Sequence, residues 1–413
     1  MNIRKRLRFL EAIQQPRKSE PASLPSTDAI ESVLNGKFVA NPAGATLLVS
    51  RDYSLNHEHG LFPLRRIDSI SPQFLRLAGS DEKLMNLDLR RAVFFDTETT
   101  GLAGGSGTYI FLAGLGHFED DVFRVKQFFL RDFPDEPAML QEIMAMMEKF
   151  DFIISFNGKS YDWPLLITRF TYHRMKIRNA EPGHFDLLHA ARRIWKNSLP
   201  DCSLGSLERH VLSVQRQGDI PSSFIPQMYF DYLRTKNAIP LRPVFYHNEM
   251  DILSMVTLTI LLHDVHEKPL AHLNRPAELL SLANHYDHIE QWEQNVRIYQ
   301  QVFSSAALPQ HKQDSGIRLG YCLKRLERWE EALKLWEGLS ALGPFRLEPY
   351  EERAKYFEHR ARDLEQAEKI VLQALAKLDI VEQLRSDCQL VECRDSLMFR
   401  LNRLRRKLAS PPE

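Results

Sequence analysis

Between residues 86 and 195 the apolar positions come in short runs separated by polar turns. The stretches "RRAVFFD", "TYIFLAGLGHF" and "VFRVKQFFL" each hold a run of strand length, and the polar "EDD" divides the second from the third. Three strands with short connections predict an antiparallel meander. In "EPAMLQEIMAMMEKF" the period changes, and Leu140, Ile143, Met144 and Met147 fall on one side of a helix. "DFIISF" returns to a short apolar strand. "SYDWPLLITRFTYHRM" reads as helix beyond Pro164, since proline suits a first turn. The order β-β-β-α-β-α predicts a mixed α/β fold with helices covering a sheet.

On either side the pattern differs. Upstream, Pro16, Pro21 and Pro25 interrupt the chain, and "NPAGATLLVSRDY" predicts one strand. Residues 1–84 read as an arm with a docking segment, and 85–272 as the α/β domain. Within the latter, 196–245 is rich in proline and predicts short helices such as "SLGSLERHVL" joined by turns. "NEMDILSMVTLTILLHDVHE" closes the domain as a long helix. Residues 273–408 then repeat themselves: "HIEQWEQNVRIYQQVF", "RLERWEEALKLWEGL" and "ARDLEQAEKIVLQAL" resemble one another. Trp292, Trp329 and Leu364 recur near the roughly 34-residue period of tetratricopeptide-type helix pairs. Ala332 and Ala367 take the small-residue position, and the tryptophans read as packing residues. Such pairs bury their apolar faces by stacking on neighbours.

Composition narrows the picture. The 413 residues are 44% hydrophobic and 26% charged, as in soluble globular proteins, and the length calls for more than one core. A formal net charge of 0 argues against holding nucleic acid by global attraction but allows a local basic groove. Arg4, Lys5, Arg6 and Arg8 offer phosphate contacts or a plain solvated terminus. The cysteines Cys202, Cys322, Cys388 and Cys393 form no CxxC pair, which argues against a zinc site or a disulfide scaffold. No apolar stretch is long enough to span a bilayer, and a cytoplasmic location is expected.

The candidate chemistry is acidic. Side chains alternate along a strand, so in "FFDTET" Asp96 and Glu98 share a face and Thr97 points away. Two carboxylates at the end of a buried strand repel each other unless a cation or hydrogen bonds compensate. Magnesium or manganese would suit such ligands. In "SFNGKSYDWP", Asp162 falls in the first turn of a helix, where it either caps or faces the strand ends. In "YHNEMDILS", Asp251 faces inward if it shares a side with Met255 and Leu258; otherwise it is a surface acid, and His247 lies one turn before it. Four carboxylates of this kind can hold two cations about 4 Å apart, the arrangement that activates water and stabilises the leaving oxygen of a phosphodiester. Asp186 is an additional acid or a helix cap. Arg192, Arg193 and Lys196 are backbone contacts or a solvated helix face. The turn "GLAGGSGT" can bring backbone N–H groups to a phosphate, but its glycine spacing is not that of a dinucleotide fingerprint.

"FFDTETTG", "NGKSYDWP" and "YHNEMD" resemble the three motifs of the DEDD exonuclease superfamily, whose fold is ribonuclease-H-like. More narrowly, "DTETTGLAGGSGTYIFLAGLG", "HFDLLHAARRIW", "LPDCSLGSLERHVL", "DIPSSFIPQMYFDYL" and "YHNEMDILSMVTL" are similar to the YprB-type ribonuclease-H-like domain, which can be followed by tetratricopeptide-like helices. The resemblance implies Asp96, Glu98, Asp162 and Asp251 as ligands of two Mg2+ or Mn2+ ions. It implies hydrolysis of DNA or RNA phosphodiesters from a 3′ end, and it suggests substrate contacts at Thr97, Gly101, Asn157, Tyr161 and Tyr246. The superfamily's last motif carries a histidine five residues before the aspartate or a tyrosine four before it. Here Tyr246 is five before and His247 four before, so the identities are exchanged. His247 is the preferred general base, because imidazole titrates near neutral pH and a phenol does not. The expected substrate is a single strand or a free 3′ end. The competing readings are an endonuclease on the same metal core, and a binding module with an inactive core whose repeats recruit a protein.

Overall fold

The computed structural model describes residues 29–79, 82–84, 87–101, 107–305, 309–384 and 388–409. Arg4, Lys5, Arg6 and Arg8, and residues 102–106 of the glycine-rich turn, lie outside them. An α/β sheet with flanking helices precedes an all-helical region, as the apolar pattern predicts.

The strands are β1 (Gly36–Asn41), β2 (Gly44–Ser54), β3 (Glu58–His59), β4 (Phe62–Pro63), β5 (Ala92–Thr99), β6 (Ile110–Glu119), β7 (Val122–Phe129), β8 (Phe152–Ser155) and β9 (Gly183–Asp186). Seven of them form one sheet in the order β1-β2-β7-β6-β5-β8-β9, while β3 and β4 pair separately. The meander β5-β6-β7 is antiparallel, and β8 lies parallel to β5 with Phe94 opposite Ile154. A parallel return needs a crossover, here supplied by helix α1 (Glu136–Met147). The strand expected within "NPAGATLLVSRDY" is the inner arm of a hairpin: β2 pairs with β1 on one side and β7 on the other.

Ala92, Val93, Phe94 and Phe95 are all buried because the sheet is covered on both faces. Val93 and Phe95 share a core with Met139, Leu140 and Ile143 of α1. Phe94 meets Phe123 edge-on, with centroids 5.7 Å apart. Helix α2 (Asp162–Tyr172) buries an ion pair in this core: Arg169 Nε donates to Glu136 Oε1 at 2.6 Å, under the ring of Tyr109.

Packing divides the chain into two compact units. One gathers the described residues up to Asp68 with Leu87–Phe185 and Val214–Thr257. It contains helix α4 (Ile225–Thr235), while helix α3 (Leu187–Trp195) belongs to the other unit. Helix α5 (Arg242–Glu267) contributes its first part, up to Thr257, to the first unit.

The second unit includes described residues from Ser69 onward, Asp186–Ser213, and the chain from Leu258. Its helices α6 (Pro276–His288), α7 (Trp292–Ser305), α8 (Pro309–Arg325), α9 (Trp329–Ala341), α10 (Glu348–His359), α11 (Leu364–Leu384) and α12 (Cys388–Ala409) each pack on the next, as tandem helical repeats do. Ala332 and Ala367 are fully buried at the small-residue positions, and so is Trp336. Trp336 crosses α8 at Gly320, where a Cβ would lie 2.2 Å from its Nε1. Trp292 and Trp329 are half-buried, under Arg325 and Arg360 respectively.

Candidate active site

Strand β5 leaves the core at Asp96. Residues 92–95 are buried, 96–98 are half-buried, and the pairing with β6 shifts between Glu98 and Thr99. Burial, then the charges of Asp251, Asp162 and Glu98, push the Asp96 carboxyl well above the ordinary carboxylate range. Burial, then Asp251, Asp162 and Asp219, do the same to Glu98, with Arg216 opposing them. Acids far apart in the sequence therefore share one electrostatic field at the end of β5.

Asp162 opens α2, where the helix N-terminus favours its charge. The Thr97 hydroxyl donates to Asp162 Oδ1, so this acid meets β5 on the Thr97 side while its charge is felt at Asp96 and Glu98. Tyr161 donates to the Gly101 carbonyl at 2.6 Å and ties the chain just after β5 to the start of α2. Asn157 turns the chain after β8 with φ +67°, a left-handed conformation that asparagine tolerates.

Helix α5 brings the remaining groups. It lies against β6 at two glycines: a Cβ on Gly114 would stand 2.3 Å from Asn248 Oδ1, and one on Gly116 would stand 2.4 Å from Ile252. That closeness lets Asn248 Nδ2 donate to Asp96 Oδ2 at 2.8 Å, while Asn248 Oδ1 accepts from Gln127 at 2.9 Å. One helical turn separates His247 from Asp251, and His247 Nε2 lies 3.6 Å from Asp251 Oδ2. Tyr246 falls on another side of α5, close enough to Tyr53 to add to the upward shift that burial and Glu249 impose on that phenol.

Three further side chains of this cluster have no role marked by the motifs: Asn248 stands inside "YHNEMD", Asp219 opens "DIPSSFIPQMYFDYL", and Arg216 lies outside both. His247 Nδ1 lies 2.7 Å from Asp219 Oδ1. Arg216 Nη2 donates to Asp251 Oδ1, and its Nη1 donates to Asp219 Oδ2 at 3.2 Å. Burial pushes the Asp219 carboxyl up, but His247 and Arg216 overcome this and hold it below its usual value. In "RQGDIPSS", an aspartate before Ile-Pro reads as a turn residue, and its tertiary partner is invisible.

Asp186 caps α3 by accepting the Leu188 N–H at 3.0 Å. Arg193 donates to the Ala78 carbonyl, whereas Arg192 and Lys196 are exposed.

Glu98, His247 and Asp251 each offer a ligand atom, and these atoms lie within 4.8 Å of one another. Carboxylate oxygens with an imidazole nitrogen suit a divalent cation, which would also offset the repulsion at Asp96 and Glu98.

A family model described as RNase_H superfamily matches residues 93–263, a span that includes all four motif acids. The uncharacterized protein YprB of Bacillus subtilis (strain 168) is 32% identical over 370 residues, covering 87% of this chain and 85% of YprB.

Proposed function

The chain belongs to the YprB family and carries an RNase H-superfamily domain, and from this we propose that its acidic rim hydrolyses phosphodiester bonds of DNA or RNA, as a divalent-metal-dependent 3′–5′ exonuclease. The observation that carries the reading is the meeting of Glu98, His247 and Asp251, with ligand atoms within 4.8 Å of one another, at the end of the strand that also carries Asp96. Among the described residues, no helix is long and apolar enough to cross a bilayer.

Asp96, Glu98, Asp162 and Asp251 are the residues that would hold Mg2+ or Mn2+, as a pair of ions in the full reading. Bound there, such ions supply an activated water and charge neutralisation at the phosphoryl oxygens. The protein's own part is positional. Asn248 and Thr97 fix the carboxylates of Asp96 and Asp162. His247 presents Nε2 beside Asp251, where it accepts the proton that the attacking water gives up. Tyr161 holds the Gly101 carbonyl at the same end of β5.

The test is release of label from single-stranded DNA and RNA in Mg2+ or Mn2+, with product lengths resolved. Mononucleotides appearing stepwise from the 3′ end support the exonuclease. Internal fragments assign an endonuclease on the same rim. No cleavage with either metal, on either nucleic acid and at either end, sinks the hydrolytic reading, and Asp96→Ala controls for contaminating nuclease.

A further inference from the structure

The segment before α4 brings an arginine with a largely covered side chain and an aspartate to the flank of α5. The Arg216 side chain is 8% exposed, and its guanidinium bridges two carboxylates, Asp251 through Oδ1 and Asp219 through Oδ2. The second oxygen of each acid faces the same imidazole. Asp219 Oδ1 is 2.7 Å from His247 Nδ1, and Asp251 Oδ2 is 3.6 Å from His247 Nε2. Four side chains thus close a ring in which the arginine takes one oxygen of each acid and leaves the other to histidine. A planar guanidinium suits this division, because its fork fixes carboxylates in orientation as well as in place. Ser222 Oγ, 3.3 Å from Nε2, holds the imidazole from another side.

Resting on the hydrolytic reading of the rim, we propose that Arg216 and Asp219 are positioning residues. Asp219 accepts the Nδ1–H of His247 and so fixes Nε2 as the lone-pair nitrogen turned toward Asp251. Arg216 holds Asp251 by Oδ1, so that Oδ2 is the oxygen offered to a divalent cation. A carboxylate behind a functional histidine fixes its tautomer and ring orientation, and loss of such an outer partner typically costs 10- to 100-fold in metal affinity or activity.

Two measurements on the full-length chain test this without relying on catalysis. Long-range 1H–15N spectra of metal-free, 15N-histidine-labelled protein report the His247 tautomer, assigned by comparison with His247→Gln. The wild type is expected to show Nδ1–H. Asp219→Ala is expected to move it toward Nε2–H, and Asp219→Asn, whose Oδ1 still accepts, is expected to retain it. Calorimetric titration with Mn2+ is expected to show binding about 10- to 100-fold weaker in Arg216→Ala, with partial recovery in Arg216→Lys. Arg216→Gln carries the same titration if the alanine variant does not fold. An unchanged tautomer in Asp219→Ala, or Mn2+ binding in Arg216→Ala as tight as wild type or tighter, overturns the proposal. Tautomer and Mn2+ responses as expected, in a wild type that cleaves no nucleic acid, uphold this clamp and remove the nuclease reading instead.

Discussion

Neutral side chains shape the acidic rim as much as its charges do. Thr97 holds Asp162 through a hydroxyl, and Asn248 holds Asp96 through an amide. A hydrogen bond to a charged group contributes about 1.5 kcal/mol or more, roughly tenfold in a rate. Thr97→Val is therefore expected to lower kcat about tenfold, read by steady-state cleavage kinetics. Asp96→Asn separates charge from shape. Burial and three neighbouring acids disfavour the Asp96 charge, so in chelator this variant is expected to melt above wild type. Mn2+ should then raise the wild-type Tm and leave the variant's unmoved. Saturation at a hundred times Kd corresponds to about 2.7 kcal/mol, within reach of differential scanning fluorimetry. The acid pair was legible because an apolar run ends abruptly in Asp-Thr-Glu. Asn248 was not, because it acts on a partner 152 residues away, and nothing local marks that meeting.

Among elements, the approach of α5 to β6 depends on glycine. Gly114→Ala sets a methyl 2.3 Å from the Asn248 amide, and overpacking of this kind costs about 1–3 kcal/mol. Urea unfolding should show that loss, together with reduced activity as Asn248 leaves Asp96. In the helical unit, Glu358 of α10 is buried beneath Arg403 and Lys407 of α12, with contacts of 2.6 and 2.8 Å. Burial alone would raise its pKa, but these bonds prevail and hold it at about 2. An acid with a depressed folded pKa stabilises above its unfolded value of 4.5 and loses that contribution as pH falls through its folded value. The stability gap between wild type and Glu358→Gln is thus expected to be full at pH 7 and to shrink between about pH 4.5 and 2, as urea midpoints will show. Strands β5 to β8 and helices α1 and α2 were legible from period and run length. The hairpin was half-legible: "TLLV" announces β2, but "GKFVAN" of β1 has no buried position and gains its strand character from pairing.

Across the whole molecule, the sequence suggested a linear succession of arm, α/β domain and repeats, whereas packing draws each compact unit from separate stretches of chain. Periodicity reports neighbours within a turn or a strand pair and is silent about such returns. The sheet is an example. Its β7 is flanked by β2 rather than left as an edge, and Leu47 is aligned with Phe129 across more than eighty residues. During synthesis the hairpin leaves the ribosome well before its docking site exists. It must wait, with one side of β2 open to strangers, until the meander emerges. Closing so wide a loop is slow, and a chain stalled at that stage exposes two matching ladders on separate copies. Exchange of hairpins between copies, or co-aggregation through them, is the failure this topology invites, and chaperone demand should be greatest in that interval.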